Sequence, residues 1–182
     1  MNAEPLNLFL IGYRCTGKTT VGRYLAEELG WAFVDTDSLL VEQQRMNIKE
    51  IVGAHGWEKF RKLESEILKT VCISQRQVVA SGGGIVLDDR NVMLMRQNGK
   101  TIWLRAKHGT IKARMLQDKD SSNFRPALTL NDSLAEIEET MQLREPIYYK
   151  AMDFFVDTDD HDIHKISDII TEKLKTIIPE LF

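Results

Sequence analysis

Short apolar segments alternate with longer amphipathic ones along this chain. The short segments are rich in apolar, β-branched and aromatic side chains, as in buried strands; they cover residues 6–11, 31–34, 78–80, 101–104 and 154–157. Between them, apolar residues recur every three or four positions, which is typical of amphipathic helices packed on a core. Because strands alternate with helices, we expect parallel pairing with helices on both faces of the sheet. The pattern predicts one three-layer α/β/α domain over residues 1–182, with a five-stranded parallel sheet.

Breaks in the helical pattern predict where helices end. Gly53 and Gly56 are expected to separate a short helix, capped by Asn47, from a longer one over residues 57–73. A later helix at 133–144 is expected to end before the proline at position 146, which leads into the last strand.

Periodicity is lost between residues 118 and 131, where the composition is polar. Loops of about 12–15 residues inside compact domains are often functional lids. We therefore expect a mobile lid in this segment.

One glycine-bearing motif joins the first strand to the first helix. It fits the phosphate loop G-x-x-x-x-G-K-[ST] and, with the next residue, contains Gly12, Tyr13, Arg14, Cys15, Thr16, Gly17, Lys18, Thr19 and Thr20. The two glycines allow backbone N–H groups to turn towards a phosphate, and the helix adds its positive end. Lys18 is suited to the β- and γ-phosphates of ATP, and the Thr19 hydroxyl to Mg²⁺. The alternative is a glycine turn before a helix, but the preceding strand and following helix favour phosphate binding.

Two further polar groups follow strands. Asp35 and Asp37 come at the end of the second strand. If strand geometry continues, both carboxylates point the same way, so one could serve Mg²⁺ and the other accept a proton from an acceptor hydroxyl. The alternative is that they cap the next helix. The third strand ends at Gly82, Gly83 and Gly84, where N–H groups can approach a ligand closely.

Charge and cysteine content narrow the range of functions. The net charge of -3 argues against a broad nucleic-acid surface, so any anion must be held by local cations. Cys15 and Cys72 form no C-x-x-C pair, which fits a reducing compartment. No apolar run approaches the ~18 residues of a membrane helix. We expect a cytoplasmic protein with no membrane or nucleic-acid partner.

Several motifs occur together in the order and approximate spacing of one family. They are the phosphate loop, Asp35-Thr36-Asp37, Phe60-Arg61-x-x-Glu64, Ser81-Gly82-Gly83-Gly84, Arg125-Pro126 and Arg144-x-x-x-Tyr148. In this combination the chain resembles the shikimate kinases over about residues 6–178. The resemblance implies a monomeric P-loop kinase of the nucleoside monophosphate kinase type with a lid. Its reaction would move the γ-phosphoryl group of ATP to the 3-hydroxyl of shikimate, with Mg²⁺, in the pathway to chorismate and the aromatic amino acids.

The resemblance also implies roles for individual residues. Lys18 and Thr19 would serve the phosphates and Mg²⁺, with Asp35 holding the metal through water. Asp37 would bind the acceptor hydroxyls and act as the base. The shikimate carboxylate would be bound by Arg61, Arg144 and the backbone of Gly82, Gly83 and Gly84; Arg125 of the lid would close over the phosphates and Arg114 would pack on adenine.

Two other functions stay open at this point. One is another P-loop small-molecule kinase, for gluconate or a nucleotide; the other is a non-catalytic nucleotide-binding regulator. Cys15 stands where the family often has glycine, and it is either a reactive thiolate or a small residue tolerated in a tight turn. Residues 157–160 lack the proline often found at the adenine-facing turn.

Overall fold

A five-stranded parallel sheet forms the centre of the molecule. The computed structural model describes residues 6–117 and 134–181. The strands are β1 (Asn7–Ile11), β2 (Ala32–Asp35), β3 (Gln77–Ala80), β4 (Gly99–Arg105) and β5 (Phe154–Asp157). Their order is β2-β3-β1-β4-β5, and every neighbouring pair is parallel. This confirms the predicted sheet.

Helices cover both faces of that sheet. They are α1 (Lys18–Leu29), α2 (Thr36–Gln44), α3 (Ile48–Val71), α4 (Asp89–Asn98), α5 (His108–Gln117), α6 (Leu134–Ala151) and α7 (Ile163–Ile177). Alternate residues of β1 enter two separate cores: Phe9 and Ile11 pack against α3 and α4, whereas Leu8 and Leu10 pack against α1 and α7. This alternation follows from the period of two along a strand, and it gives the predicted three layers.

The segment after β2 differs from the expectation. Strand geometry does not continue to Asp37, because α2 begins at Thr36 and Asp35 is its N-cap residue. The Asp35 Oδ1 atom accepts hydrogen bonds from the backbone N–H groups of Asp37 and Ser38, each at 3.1 Å. An N-terminal turn has several unsatisfied N–H groups, so a carboxylate there starts a helix readily.

Two predicted helix ends are also wrong. In α3 only Gly56 departs from helical geometry, with φ 77° and ψ 169°, while Gly53 stays helical. Helix α6 does not end near residue 144 but passes through Pro146 to Ala151. Tyr148 and Ala151 beyond the proline are buried, and we attribute the continuation to this burial, which offsets the backbone hydrogen bond that Pro146 cannot make.

Two expectations concern the chain's surroundings and its lid. The predicted lid at 118–131 and Arg125 lie outside the described residues. Within the parts of the chain that are described, no helix is long and apolar enough to cross a membrane.

Candidate active site

The phosphate loop leaves the central strand β1 and ends at the first residue of α1. Gly12 and Gly17 have φ values of 140° and 94°, which residues with a Cβ rarely adopt. A Cβ on Gly12 would also overlap the Leu104 carbonyl oxygen of β4. Cys15 adopts φ 61° without being glycine, which supplies a physical reason for the glycine often found at this position in the family.

Lys18 is buried beneath this loop. Its Nζ atom donates to the carbonyl oxygens of Gly12 at 2.9 Å and Tyr13 at 2.7 Å. The Thr16 hydroxyl donates to the same Tyr13 carbonyl at 2.8 Å. The ammonium group thus helps to hold the loop in a curved form.

One pocket lies along the outer side of the loop. We call it the nucleotide pocket; its lining residues are Cys15, Thr16, Gly17, Thr20, Val21, Arg114, Thr158, His161, Asp162, Ile163 and Ile166. Arg114 donates through Nη1 to the Thr158 hydroxyl at 3.1 Å and the Cys15 carbonyl at 3.3 Å. The guanidinium plane of Arg114 is therefore fixed between the phosphate loop and the end of β5.

Thr19 and Asp35 face each other beside the loop. The Thr19 hydroxyl donates to Asp35 Oδ2 at 2.8 Å. Mg²⁺ in phosphoryl-transfer sites takes one or two protein oxygens and keeps several waters, so this pair fits the ion. Among the described residues no group of three or more His, Cys, Asp or Glu side chains could hold a metal.

A second pocket lies on the other side of the loop, and we call it the acceptor pocket. Its walls come from the loop, α2, α3, the triple glycine and α6; the lining residues are Tyr13, Arg14, Asp37, Ile48, Trp57, Phe60, Arg61, Glu64, Gly82, Gly83, Gly84 and Arg144. Three arginines and two acids thus line one small cavity. Asp37 reaches it from the first turn of α2 and is 8% exposed.

Glu64 is a buried acid in this pocket. Its Oε2 atom accepts from Arg61 Nη1 at 2.6 Å, and its side chain is 2% exposed. The buried Oε1 atom has no hydrogen-bond partner within the part of the chain that the structure describes. Burial raises the pKa of Glu64 to about 7; Arg61 opposes this shift and Asp37 adds to it.

The triple glycine leaves room for these side chains. A Cβ on Gly82 would overlap Glu64 Oε1 and would lie 2.7 Å from Asp37 Oδ1, and a Cβ on Gly84 would overlap the Arg61 guanidinium. The buried Tyr148 hydroxyl donates to the Gly83 carbonyl and ties this loop to α6. At Gly82 and Gly84 glycine is therefore favoured by close contact with charged side chains rather than by a positive φ.

The structure brings most of the predicted residues together. Arg61 and Arg144, which are 83 positions apart, line the same pocket. Tyr13 and Arg14 were predicted on the nucleotide side, but their side chains line the acceptor pocket.

Sequence reasoning assigned no role to Glu64 or Thr158, which lie at the two pockets. Glu64 was considered only as part of the motif that contains Arg61, and Thr158 only as part of the adenine-facing turn at 157–160. Only Glu64 had a usable signal, because an acid one helical turn from Arg61 lies on the same helix face.

The fold and the site define the class of the protein. A parallel α/β sheet carries a phosphate loop at the end of its central strand, with a charged acceptor pocket beside that loop. This arrangement is that of a P-loop kinase, in which the phosphoryl donor and its acceptor meet at the carboxyl ends of the strands.

Comparison with known proteins identifies the family. The shikimate kinase family model matches residues 14–175, and the chain belongs to that family. Shikimate kinase 2 of Photorhabdus laumondii is 37% identical over 174 residues, 96% of this chain and 94% of the relative. The shikimate kinase of Moorella thermoacetica is 39% identical over 177 residues, 97% of this chain and 99% of that protein.

A solved structure gives the same result. Shikimate kinase from Acinetobacter baumannii in complex with shikimate superposes with a TM-score of 0.87 at 26% identity, over 96% of each chain. The protein is thus an ATP-dependent phosphotransferase of the shikimate kinase family.

Proposed function

We propose that this enzyme transfers the γ-phosphoryl group of ATP to the 3-hydroxyl of shikimate, in the pathway to chorismate. The observation that carries this proposal is the composition of the acceptor pocket. Three arginines surround a small cavity that also holds two acids and adjoins the phosphate loop. A small hydroxylated acid needs these groups, because arginine pairs with its carboxylate and the acids accept hydrogen bonds from its hydroxyls.

Arg61 and Arg144 would bind the carboxylate of the substrate. The guanidinium of Arg61 is already oriented by Glu64 at 2.6 Å and by the rings of Trp57 and Phe60, whose centroids lie 5.4 Å and 5.1 Å from Arg61 Cζ. An oriented guanidinium loses little freedom when the anion binds. Backbone N–H groups of residues 82–84 would complete the binding site.

Asp37 would accept the proton of the attacking hydroxyl. It is nearly buried, it lines the acceptor pocket, and it lies in the first turn of α2, two residues after Asp35. The unpartnered Oε1 atom of Glu64 supports a second role, in which this atom accepts a hydrogen bond from a neighbouring substrate hydroxyl. Asp37 and Glu64 would thus have different roles and would together fix the orientation of the shikimate ring.

Lys18 would bind the phosphates, and the oxygens of Thr19 and Asp35 would bind the metal ion. Lys18 would exchange its bonds with the Gly12 and Tyr13 carbonyls for bonds with the β- and γ-phosphates. The Thr19 hydroxyl and Asp35 would hold Mg²⁺, which neutralises charge on the phosphates when bound. From the resemblance, Arg114 would pack on adenine and Arg125 would close over the phosphates.

An assay of ADP release tests the proposal. The purified protein is given Mg·ATP with shikimate, quinate or gluconate, and with no acceptor as the control. We expect turnover with shikimate well above the other acceptors. Preference for gluconate would indicate the alternative kinase, and nucleotide binding without turnover of any acceptor would indicate the regulator.

The remaining expectations concern the state of the enzyme in the cell. We propose a monomeric, cytoplasmic enzyme, and its two free cysteines are consistent with a reducing compartment.

A further inference from the structure

Tyr13 is a large aromatic residue in a loop whose function depends on its backbone. It is 2% exposed. Its ring belongs to a small apolar cluster with Ala106, Ile111, Ile137 and Met141, which is separate from the two cores on the faces of the sheet. The cluster joins the phosphate loop to α5 and α6, and Tyr13 is its only member from that loop.

The Tyr13 side chain contacts two arginines of the acceptor pocket. Burial raises the pKa of Tyr13, although Arg14, Arg144 and Thr140 oppose this shift, so it remains a neutral phenol. The Arg14 guanidinium carbon lies 5.9 Å from the centroid of the Tyr13 ring. The Arg144 guanidinium carbon lies 5.7 Å from the centroid of the Tyr13 ring. This distance is within the range of a cation–π interaction. Tyr13 therefore restrains cations that come from two separate segments of the chain.

The Tyr13 backbone contacts the nucleotide side. Its carbonyl oxygen accepts from Lys18 Nζ at 2.7 Å and from the Thr16 hydroxyl at 2.8 Å. When phosphates bind the Lys18 ammonium, this carbonyl loses a partner and the loop backbone is held by the ligand instead. Tyr13 thus contacts Lys18 through its backbone carbonyl, and Arg14 and Arg144 through its side chain.

We infer that Tyr13 is a positioning residue that couples the nucleotide side to the acceptor pocket, so that each ligand strengthens binding of the other. The inference rests on the proposed function. Phosphates that fix the loop also fix Tyr13, and through it Arg14 and Arg144. A second ligand that meets groups already ordered loses less entropy on binding, which gives positive coupling. Linkage requires the same factor in both directions.

Calorimetric titration with shikimate, with and without saturating Mg·ADP, tests this coupling in the full chain. The coupling factor is the Kd of one ligand measured alone divided by its Kd in the presence of the other ligand. In the unchanged protein we expect Mg·ADP to lower the shikimate Kd by about fivefold or more, and shikimate to lower the ADP Kd equally. Tyr13→Phe removes only the hydroxyl, and the coupling factor should fall about two- to tenfold, to no less than one. Tyr13→Leu removes the ring as well and should bring the factor close to one.

Met141→Ala is the matched control, because Met141 belongs to the same buried cluster and is not among the residues that line the acceptor pocket. It should lower the melting temperature yet keep the coupling factor. Equal loss of coupling in Met141→Ala and Tyr13→Leu would overturn the inference, since packing alone would then carry the effect. An unchanged factor in Tyr13→Phe and in a folded Tyr13→Leu protein, or no coupling in the unchanged protein, would overturn it too. Absence of shikimate binding under all conditions would instead overturn the proposed function, and the inference with it.

Discussion

The nucleotide side and the acceptor pocket are built in opposite ways. The nucleotide side centres on eight consecutive residues from Gly12 to Thr19, whose backbone carbonyls hold one buried lysine. The acceptor pocket gathers side chains from α2, α3 and α6 and from two loops, and it buries acids against arginines. A contiguous backbone motif tolerates changes at its variable positions, such as cysteine at 15. A pocket assembled from distant charged side chains depends on each of them, because an unmatched buried charge is costly.

The largest effect is expected at Asp37, where the two regions meet. Asp37→Asn keeps the shape of the side chain but cannot accept the proton, so kcat should fall about 10²–10⁴-fold. The far-ultraviolet circular dichroism spectrum should be unchanged. The matched control is Asp89→Asn, in the first turn of α4, whose side chain is 84% exposed and should be neutral for activity. Near-normal turnover in Asp37→Asn would refute its role as the base.

Glu64 should make stability depend on pH. Its folded-state pKa of about 7 lies above the ordinary value of 4.5, so the folded protein binds more protons than the unfolded chain between these values. The stabilisation is present below pH 4.5 and is lost as pH rises through 7. The contribution of Glu64 to the free energy of unfolding should therefore fall by about 3 kcal/mol over this window.

Urea unfolding of the unchanged protein and of Glu64→Gln, at several pH values from 4.5 to 8, measures this contribution. The difference between the two proteins should change in favour of Glu64→Gln as the pH rises. Glu66→Gln, an exposed acid two residues further along α3, serves as the control. Parallel curves for the unchanged protein and Glu64→Gln would show that folding does not raise the pKa of Glu64.

Replacement of Arg61 tests whether substrate binding in the acceptor pocket can be weakened without a change in nucleotide binding. Hydrogen bonds to charged groups contribute about 1.5–3 kcal/mol, so Arg61→Ala should raise the shikimate Kd roughly ten- to a hundredfold. ATP affinity in the absence of shikimate should remain nearly unchanged. Lys62→Ala, which removes an exposed cation paired with Glu58 at 2.8 Å, should change neither. Equal losses for both ligands in Arg61→Ala would mean that Arg61 is structural.

The smallest effect is expected at Cys15 on the nucleotide side. Its φ of 61° costs about 1–2 kcal/mol for a residue with a Cβ, whereas glycine loses about 0.5–1 kcal/mol of backbone entropy on folding. Cys15→Gly should thus raise the free energy of unfolding by no more than about 1.5 kcal/mol, with ADP binding retained. Thermal and urea unfolding can measure this change. A clear loss of stability would show that the thiol makes a contact the loop needs.

Several features of the fold could be predicted because the signals are local. The strands and most helices follow from periodicity. The helix at Thr36 was predicted only as the alternative in which the acids cap it, because the Asp35 carboxylate, rather than an apolar repeat, starts it. The continuation of α6 past Pro146 was missed for a different reason: the burial of Tyr148 that accompanies it is a tertiary property.

The sequence by itself determined the phosphate loop, the parallel sheet and the family, because the loop is contiguous and its glycines act through backbone geometry. Asp37 could be proposed as a proton acceptor from its position after a strand, whereas Arg61 could be named only because it occurs in a recognised set of motifs. Tertiary structure alone decided that Glu64 is buried with one oxygen that has no partner among the described residues, and that Tyr13 lines the acceptor pocket. Burial and its effect on charge arise from segments far apart in the chain, and no local pattern records which of them meet.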